Sequence, residues 1–202
     1  MISSLTAEDL VELPVPGMEP GVRKARMHDI APILDLINGY AAKGIMLPRT
    51  EFEMSENIRD FTVVTHEDRL LGCGALHFYS PTVGEIRSLA VRDDARTHGA
   101  GRRLVEALVR EASDYSLDAV FAFTYVVDFF RKVGFREVER GELPLKAWKD
   151  CLRCAKFHCC DEIAVLRVLR PDHYQVWGAP AAGPELDLVM PIPAGITSVT
   201  PK

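Results

Sequence analysis

The stretch 89–104 constrains the fold of this 202-residue chain more than any other, and it reads Leu-Ala-Val-Arg-Asp-Asp-Ala-Arg-Thr-His-Gly-Ala-Gly-Arg-Arg-Leu. An apolar strand ends at Val91, and a turn with glycines at Gly99 and Gly101 leads directly into a helix. Over 100–114 the apolar residues recur at helical spacing, while the charged residues lie on the opposite face. A strand, a tight turn and an amphipathic helix in this order predict a β-α-β unit.

The remaining segments alternate between strand and helix patterns. We predict strands at 22–26, 61–66, 70–79, 84–91, 119–127 and 162–169. We predict helices at 29–43, 50–61 and 100–114, and a short helix that ends at about 132. Asp29 is the predicted N-cap of the first helix, Gly44 its stop, and Thr50 opens a capping box. Antiparallel strands followed by a β-α-β crossover predict an α/β (α+β) fold whose mixed sheet carries helices on both faces.

Composition excludes several classes of protein. Hydrophobic residues make up 48% and charged residues 26%, an ordinary globular mixture, and the net charge of −5 argues against a nucleic-acid partner. The longest uncharged apolar stretch, 119–127, is much shorter than the ~20 residues of a membrane span. The first residues show neither the basic nor the apolar region of a secretory signal. We therefore expect a cytoplasmic protein with no membrane partner.

Proline predicts where the folded unit begins and ends. Of the 13 prolines, three fall in 1–20 and six in 171–202. Each one removes a backbone donor and fixes φ, which disfavours helices and inner strands there. We predict an N-terminal tail at 1–20, a folded domain at 21–170 and a proline-rich C-terminal tail at 171–202.

The glycine turn is a candidate anion site. Glycine lets the backbone approach a ligand closely, and the first amides of a helix have no intrahelical partners and carry its positive dipole end. Such a turn favours a phosphate or pyrophosphate, with Arg96, Arg102 and Arg103 adding positive charge. A simple tight connection remains the alternative, because neither a Gly-Lys-Ser/Thr sequence nor a third fingerprint glycine is present.

Two motifs resemble the GNAT superfamily of N-acetyltransferases. Arg96-x-x-Gly99-x-Gly101 is similar to its pyrophosphate loop, Ser88-Leu-Ala-Val91 to its central strand, and 129–135 to its aromatic-x-Lys-x-Gly-Phe segment. The resemblance covers about 22–169 and implies the GNAT fold, with a central sheet of about six or seven strands. It also implies acetyl-CoA as cosubstrate. The implied CoA-binding residues are Leu89, Ala90, Val91, Arg96, Thr97, His98, Gly99, Ala100, Gly101, Arg102, Phe129 and Phe130.

Further segments resemble short-form amino-acid N-acetyltransferases, the N-acetylglutamate synthases that lack a kinase-like domain. These segments are 44–49, 72–77, 85–91, 124–125, 142–154 and 160–162. The resemblance implies transfer of the acetyl group to the α-amine of L-glutamate, the first step of arginine biosynthesis, with no metal required for the chemistry. Two alternatives remain: another amine acceptor (a different amino acid, a polyamine or a protein N-terminus), or a non-catalytic CoA-binding or thiol-sensing module.

The resemblance implies direct attack of the amine on the thioester, for which Glu85 is the candidate general base. In general, a carboxylate on a central strand is poorly solvated, which raises its pKa towards the useful range. Simple pairing of Glu85 with Arg87 or with a neighbouring strand is the alternative. The position where many family members place an acidic Tyr holds Phe130 here. Tyr125 or Thr124 could replace it, or the CoA thiolate, with a pKa near that of cysteine, could leave without an acid.

Glutamate presents two carboxylates, which suit the planar fork of arginine. Arg49, which follows Leu47-Pro48 and matches the Leu-x-Arg substrate segment of the family, is the first candidate, with a solvated loop arginine as the alternative. Further acceptor-binding candidates are Leu47, Arg87, Ser88 and Thr124, and Lys149, Arg153 and Lys156 could close the site.

Four of the five cysteines lie close together, at Cys151, Cys154, Cys159 and Cys160. Cys-x-x-Cys is half of a zinc-site spacing, but a second well-spaced pair is missing. A structural zinc site, a redox pair and reduced thiols all remain open. Family members of this size are often dimers, so a homodimer is also compatible with the resemblance.

Overall fold

The computed structural model describes residues 21–143, 154, 156 and 159–175. The strands are β1 (Gly21–Lys24), β2 (Phe61–His66), β3 (Arg69–Phe78), β4 (Val83–Val91), β5 (Ala119–Thr124), β6 (Arg136–Glu137) and β7 (Ile163–Val168). The helices are α1 (Ile30–Ala41), α2 (Glu51–Asn57), α3 (Ala100–Asp114) and α4 (Val127–Lys132). The tails predicted at 1–20 and 171–202 lie outside these residues, apart from 171–175.

All seven strands form one mixed sheet in the order β1-β2-β3-β4-β5-β7-β6. Strands β1 to β4 pair antiparallel with their neighbours, β5 joins β4 in parallel through the α3 crossover, and β7 lies antiparallel between β5 and β6. The predicted mixed sheet is therefore confirmed. Among the described residues, no helix combines the length and the apolar composition needed to cross a membrane.

Helices cover both faces of the sheet, as predicted. On one face, Val105 and Leu108 of α3 and Phe130 of α4 pack against Leu76 and Ile86. On the other face, α1 and α2 contribute the core residues Ile33, Ile37 and Met54, which pack with Val63 and Ala75. Apolar residues three or four apart on each helix form the stripe that these two cores bury.

The helix starts behave differently from one another. The Thr50 capping box is confirmed: the Thr50 hydroxyl accepts from the Glu53 amide at 3.2 Å, and the Glu53 carboxylate accepts from the Thr50 amide at 2.9 Å. Asp29 occupies the N-cap position of α1, but its side chain does not cap the helix. Its carboxylate accepts instead from the Arg26 amide and from the Arg23 guanidinium, and these bonds, that from Arg23 above all, hold the pKa of Asp29 below its usual value.

Three of the predicted elements differ from the structure. The strand predicted over 119–127 ends at Thr124, because the Thr124 hydroxyl accepts from the Val126 amide at 3.0 Å and turns the chain into α4. Strand β6 was not predicted, since two exposed residues carry no recognisable alternation. The helix predicted to reach 61 ends at Asn57, and a 3-10 turn continues from Ile58 to Asp60.

Candidate active site

The sheet splits between its two central parallel strands. Within the described residues, β4 pairs with β5 only from Val83 to Glu85, and the last pair is Glu85 with Phe121. Beyond that point β5 continues beside β7 and no longer beside β4. The backbone groups of β4 that point towards β5 therefore lie along a gap, where they can bind a ligand in place of a strand.

A bulge in β4 accompanies the split. Cys73 pairs with Ala90 and Ala75 with Arg87, so Ser88 and Leu89 together stand opposite Gly74. Ser88 has φ +52°, in the left-handed region, and a Cβ on Gly74 would lie only 3.0 Å from the Leu89 side chain. Glycine at this position thus accommodates the bulge, and the bulge changes the direction of the strand beside the gap.

The predicted glycine turn lies at the end of the gap. After a 3-10 turn from Asp93 to His98, Gly99 takes φ +72° and α3 begins at Ala100. A Cβ on Gly101 would lie 3.4 Å from the Phe129 ring, which shows how closely α4 approaches the first turn of α3. The 15-residue helix α3 therefore begins directly after a left-handed glycine, and the anion site at its N-terminus remains a prediction.

The arginines of this loop have protein partners. The Arg96 guanidinium donates to the Tyr40 hydroxyl at 2.8 Å and pairs with the Asp93 carboxylate at 2.9 Å, and its pKa is raised, mainly by the bond to Tyr40. The Tyr40 hydroxyl in turn donates to the Val91 carbonyl at 2.6 Å. Tyr40, which sequence reasoning missed, thereby ties α1 to the end of β4 and to the loop.

The other predicted CoA-binding residues differ in accessibility. Arg102 pairs with Glu106 at 2.7 Å on the exposed face of α3. Phe129 is partly buried, whereas Phe130 is 3% exposed and packs against Phe129 and Phe135, so only a small part of its ring could meet a ligand. The side chains of Thr97 and His98 lie outside the described part of the chain. CoA binding by these residues remains a prediction.

Glu85 lies at the point where β4 and β5 separate. It is 7% exposed, and it stands opposite His77 of β3 in the antiparallel register. Arg87 lies two residues further along β4 and stands opposite Ala75, a core residue beneath α1 and α2. Because alternate residues of a strand share a face, Glu85, Arg87 and His77 all lie on the α1 and α2 side of the sheet.

The predicted acceptor-binding residue Arg49 is positioned by α1. The Asn38 side chain donates to the Arg49 carbonyl at 3.0 Å and accepts from the Arg49 amide at 2.9 Å. This clamp fixes the backbone of the loop that also contains Leu47, which is half-buried. Sequence reasoning missed Asn38, because a polar residue at this position fits the helix pattern of α1 and gives no sign of the loop that it binds.

Tyr125 follows the end of β5 and belongs to a small polar cluster. Its hydroxyl donates to the Asp161 carboxylate at 2.9 Å and accepts from the Lys156 ammonium at 3.1 Å. Burial raises the pKa of Tyr125, an effect that the bond from Lys156 opposes. Lys156 thus lies beside the end of β5, whereas Lys149 and Arg153 lie outside the described residues.

The cysteine cluster is only partly described. Cys154, Cys159 and Cys160 are present as thiols, while Cys151 and the neighbouring His158 lie outside the described residues. Within the described residues, no three His, Cys, Asp or Glu side chains are grouped to hold a metal ion. The zinc, redox and free-thiol interpretations therefore all remain predictions.

Comparison with known proteins identifies the family. The model of the acetyltransferase (GNAT) family matches residues 33–135. The chain is 40% identical over 155 residues to an uncharacterized N-acetyltransferase of Chlorobaculum tepidum. The aligned region covers 77% of this chain and 100% of that protein. The chain belongs to the GNAT family of acetyltransferases, as the resemblance predicted.

Two further relatives are amino-acid acetyltransferases by name or structure. The chain is 38% identical over 137 residues to the amino-acid acetyltransferase of Mycobacterium tuberculosis, covering 66% of this chain and 78% of that protein. The crystal structure of N-acetylglutamate synthase from Neisseria gonorrhoeae, complexed with coenzyme A and N-acetyl-glutamate, superimposes with a TM-score of 0.67 at 29% identity. That match covers 75% of this chain and 35% of the synthase, and it confirms the GNAT fold.

Proposed function

We propose that this acetyltransferase transfers the acetyl group of acetyl-CoA to the α-amine of L-glutamate, the first step of arginine biosynthesis. The observation that carries the proposal is the position of Glu85, nearly buried at the point where β4 and β5 separate and on the same face as Arg87. The likeness to an amino-acid acetyltransferase and to an N-acetylglutamate synthase supports an amino-acid acceptor.

The donor side of the site is the gap between β4 and β5 together with the start of α3. The glycine turn fits a pyrophosphate, because Gly99 adopts a left-handed conformation and directs the first amides of α3 to the end of the gap. Backbone amides near Leu89 to Val91 would polarise the thioester carbonyl. Preorganised donors of this kind are typically worth about 3 kcal/mol each in the transition state.

The acceptor side is the face of the sheet around Glu85 and Arg87, together with the loop that contains Arg49. The α-ammonium of glutamate must lose a proton before its nitrogen can attack, and Glu85 accepts that proton directly or through a water. A half-buried arginine on a clamped loop and a second arginine on β4 suit the two carboxylates of glutamate. Ser88 and Thr124 border the same gap from β4 and β5.

The reaction is then a direct displacement. The amine nitrogen forms a bond to the thioester carbon, loses its second proton to water, and the resulting oxyanion returns its electrons as the carbon–sulfur bond breaks. The CoA thiolate leaves and takes a proton from Tyr125 or from solvent. Tyr125 is 41% exposed beyond the end of β5, so the proton that it donates can be replaced from water.

The proposal is tested by measuring CoA release from acetyl-CoA with each of the twenty amino acids and several polyamines, with mass identification of the product. We expect L-glutamate to be the best acceptor and N-acetylglutamate to be the product. Equal or faster turnover with a polyamine or an unrelated amino acid would overturn the glutamate assignment. Tight acetyl-CoA binding with no turnover for any acceptor would overturn the proposal of a small-molecule acetyltransferase.

A further inference from the structure

Three charged or polar side chains meet beside Glu85, and the proposed reaction uses only one of them. Asp60 ends the 3-10 turn that follows α2, His77 lies on β3, and Arg87 lies on β4. The Nδ1 atom of His77 lies 3.2 Å from Asp60 Oδ2 and 3.2 Å from an Nη atom of Arg87. The same Arg87 nitrogen is 3.9 Å from Asp60 Oδ2. We refer to these residues as the Asp60–His77–Arg87 group.

The fold brings this group to the acceptor side. His77 stands opposite Glu85 in the β3–β4 register, so both side chains lie on the face that carries α1 and α2. The side chains of Arg87, Asp60 and His77 are 18%, 30% and 38% exposed. They are therefore half-buried at an accessible edge of the proposed acceptor site, in contrast to the nearly buried Glu85.

The chemistry of the three groups is complementary. A carboxylate only accepts hydrogen bonds, a guanidinium only donates them, and an imidazole nitrogen can do either. Since His77 Nδ1 donates to Asp60 only with a proton and accepts from Arg87 only without one, the two contacts are alternatives. When Nδ1 carries no proton, the Arg87 guanidinium donates to it and lies 3.9 Å from the Asp60 carboxylate, and when Nδ1 is protonated, the attraction between Arg87 and Asp60 remains. A guanidinium held at this position suits the two oxygens of a carboxylate, which arginine binds in two-pronged geometry.

We propose that Asp60 and His77 are positioning residues that hold the Arg87 guanidinium beside Glu85, where it binds a carboxylate of the amino-acid acceptor. Fixing this side chain before the acceptor arrives removes the entropy that a free arginine would lose on binding. The inference deepens the proposed function and rests on it, because it requires an acceptor that carries a carboxylate.

The test compares steady-state kinetics of Asp60→Asn, His77→Leu and His77→Asn with those of the wild-type chain. Asp60→Asn and His77→Leu should each raise the KM for L-glutamate about tenfold, the usual scale for losing a hydrogen bond to a charged group. His77→Asn, whose amide can replace Nδ1, should restore most of the affinity. The KM for acetyl-CoA and kcat should not change, and His66→Leu on β2 is the matched histidine control.

The outcomes separate the two proposals. If the wild type acetylates L-glutamate but Asp60→Asn and His77→Leu leave its KM unchanged, the positioning role is overturned and the proposed function remains. A parallel rise in both KM values would indicate a merely structural role and would also overturn it. If the wild type acetylates no amino acid, both proposals fail. Should His77→Leu not fold, Asp60→Asn and His77→Asn decide the question.

Discussion

The proposed donor and acceptor sides of this site are built in different ways. The donor side comes from one continuous stretch, 89–104, and depends mainly on backbone groups: the edge of β4, the left-handed Gly99 and the first amides of α3. The acceptor side depends on side chains that four separate segments supply. These segments are the loop holding Arg49, the turn ending at Asp60, and strands β3 and β4.

This difference leads us to expect that the proposed acceptor side, rather than the donor side, determines which substrate is acetylated. A glycine turn before a helix binds any pyrophosphate of suitable shape, because it offers backbone amides that every sequence has. A set of arginine, histidine and carboxylate side chains distinguishes one acceptor from another, because each charge must match a group of the substrate. Substitutions should therefore affect one substrate at a time.

Arg49→Ala should produce the largest difference between the effects on the two KM values, that for L-glutamate and that for acetyl-CoA. Removing a charge-assisted, two-pronged contact to a carboxylate should raise the KM for L-glutamate about fiftyfold and leave the KM for acetyl-CoA unchanged. Initial-rate kinetics with each substrate varied in turn measures both values. Arg110→Ala, on the exposed face of α3, is the matched control. An unchanged KM for glutamate would make Arg49 a solvated loop arginine.

A substitution outside both sides sharpens the comparison by separating stability from binding. Asp29→Asn removes the charge that binds Arg23, and it should lower the free energy of unfolding at pH 7 by about 2 kcal/mol without changing either KM. Because the pKa of Asp29 is lowered on folding, the wild type gains this stability above pH ~4 and loses it as pH falls through the folded-state pKa. Urea unfolding between pH 7 and pH 2 should show the two proteins converging at the acid end.

Gly99→Ala should affect the donor side alone. An alanine at φ +72° costs about 1–2 kcal/mol, and relaxation of that strain would turn the first amides of α3 away from the pyrophosphate. We expect the KM for acetyl-CoA to rise about tenfold. Gly44→Ala carries the same strain, at φ +69° and with nothing near the added methyl, and should destabilise the protein without changing the acetyl-CoA KM. Equal effects of the two variants on that KM would contradict this account.

Tyr40→Phe should give the smallest effect. It removes the hydroxyl that donates to the Val91 carbonyl and accepts from Arg96, while the aromatic ring remains in the core. The loss of about 1 kcal/mol of hydrogen bonding to the loop should raise the KM for acetyl-CoA about fivefold. Tyr115→Phe, at an exposed tyrosine, is the control. A change in the KM for glutamate alone would contradict this prediction, because it would place Tyr40 on the acceptor side and not beside the acetyl-CoA loop.

The same contrast explains what the sequence could predict. The 89–104 stretch predicts strand, turn and helix together because each signal is local, and the structure confirms β4 and α3 within one residue of their predicted bounds. The Asp60–His77–Arg87 group could not be found in this way. His77 meets Arg87 only because the β3–β4 register shifts at the bulge opposite Gly74, and no local pattern fixes that register.

Two errors have the same physical origin. Asp29 has the ideal residue type for a helix cap, but the Arg23 guanidinium, six residues earlier and on β1, binds its carboxylate instead. The strand predicted to reach Val127 ends at Thr124, because the Thr124 hydroxyl accepts a hydrogen bond from the Val126 amide, which competes with strand pairing. Both outcomes depend on tertiary or side-chain contacts, which the helix and strand propensities of single residues do not take into account.

The most direct test of the central claim is the kcat of Glu85→Gln with L-glutamate, measured at saturating acetyl-CoA and accompanied by a thermal unfolding curve. If Glu85 accepts the proton of the acceptor amine, kcat should fall at least ~100-fold, the usual scale of general-base catalysis, while the KM for acetyl-CoA and the unfolding temperature stay close to wild type. Glu111→Gln, on the outer part of α3, should leave kcat unchanged. A kcat for Glu85→Gln equal to that of the wild type would contradict the account.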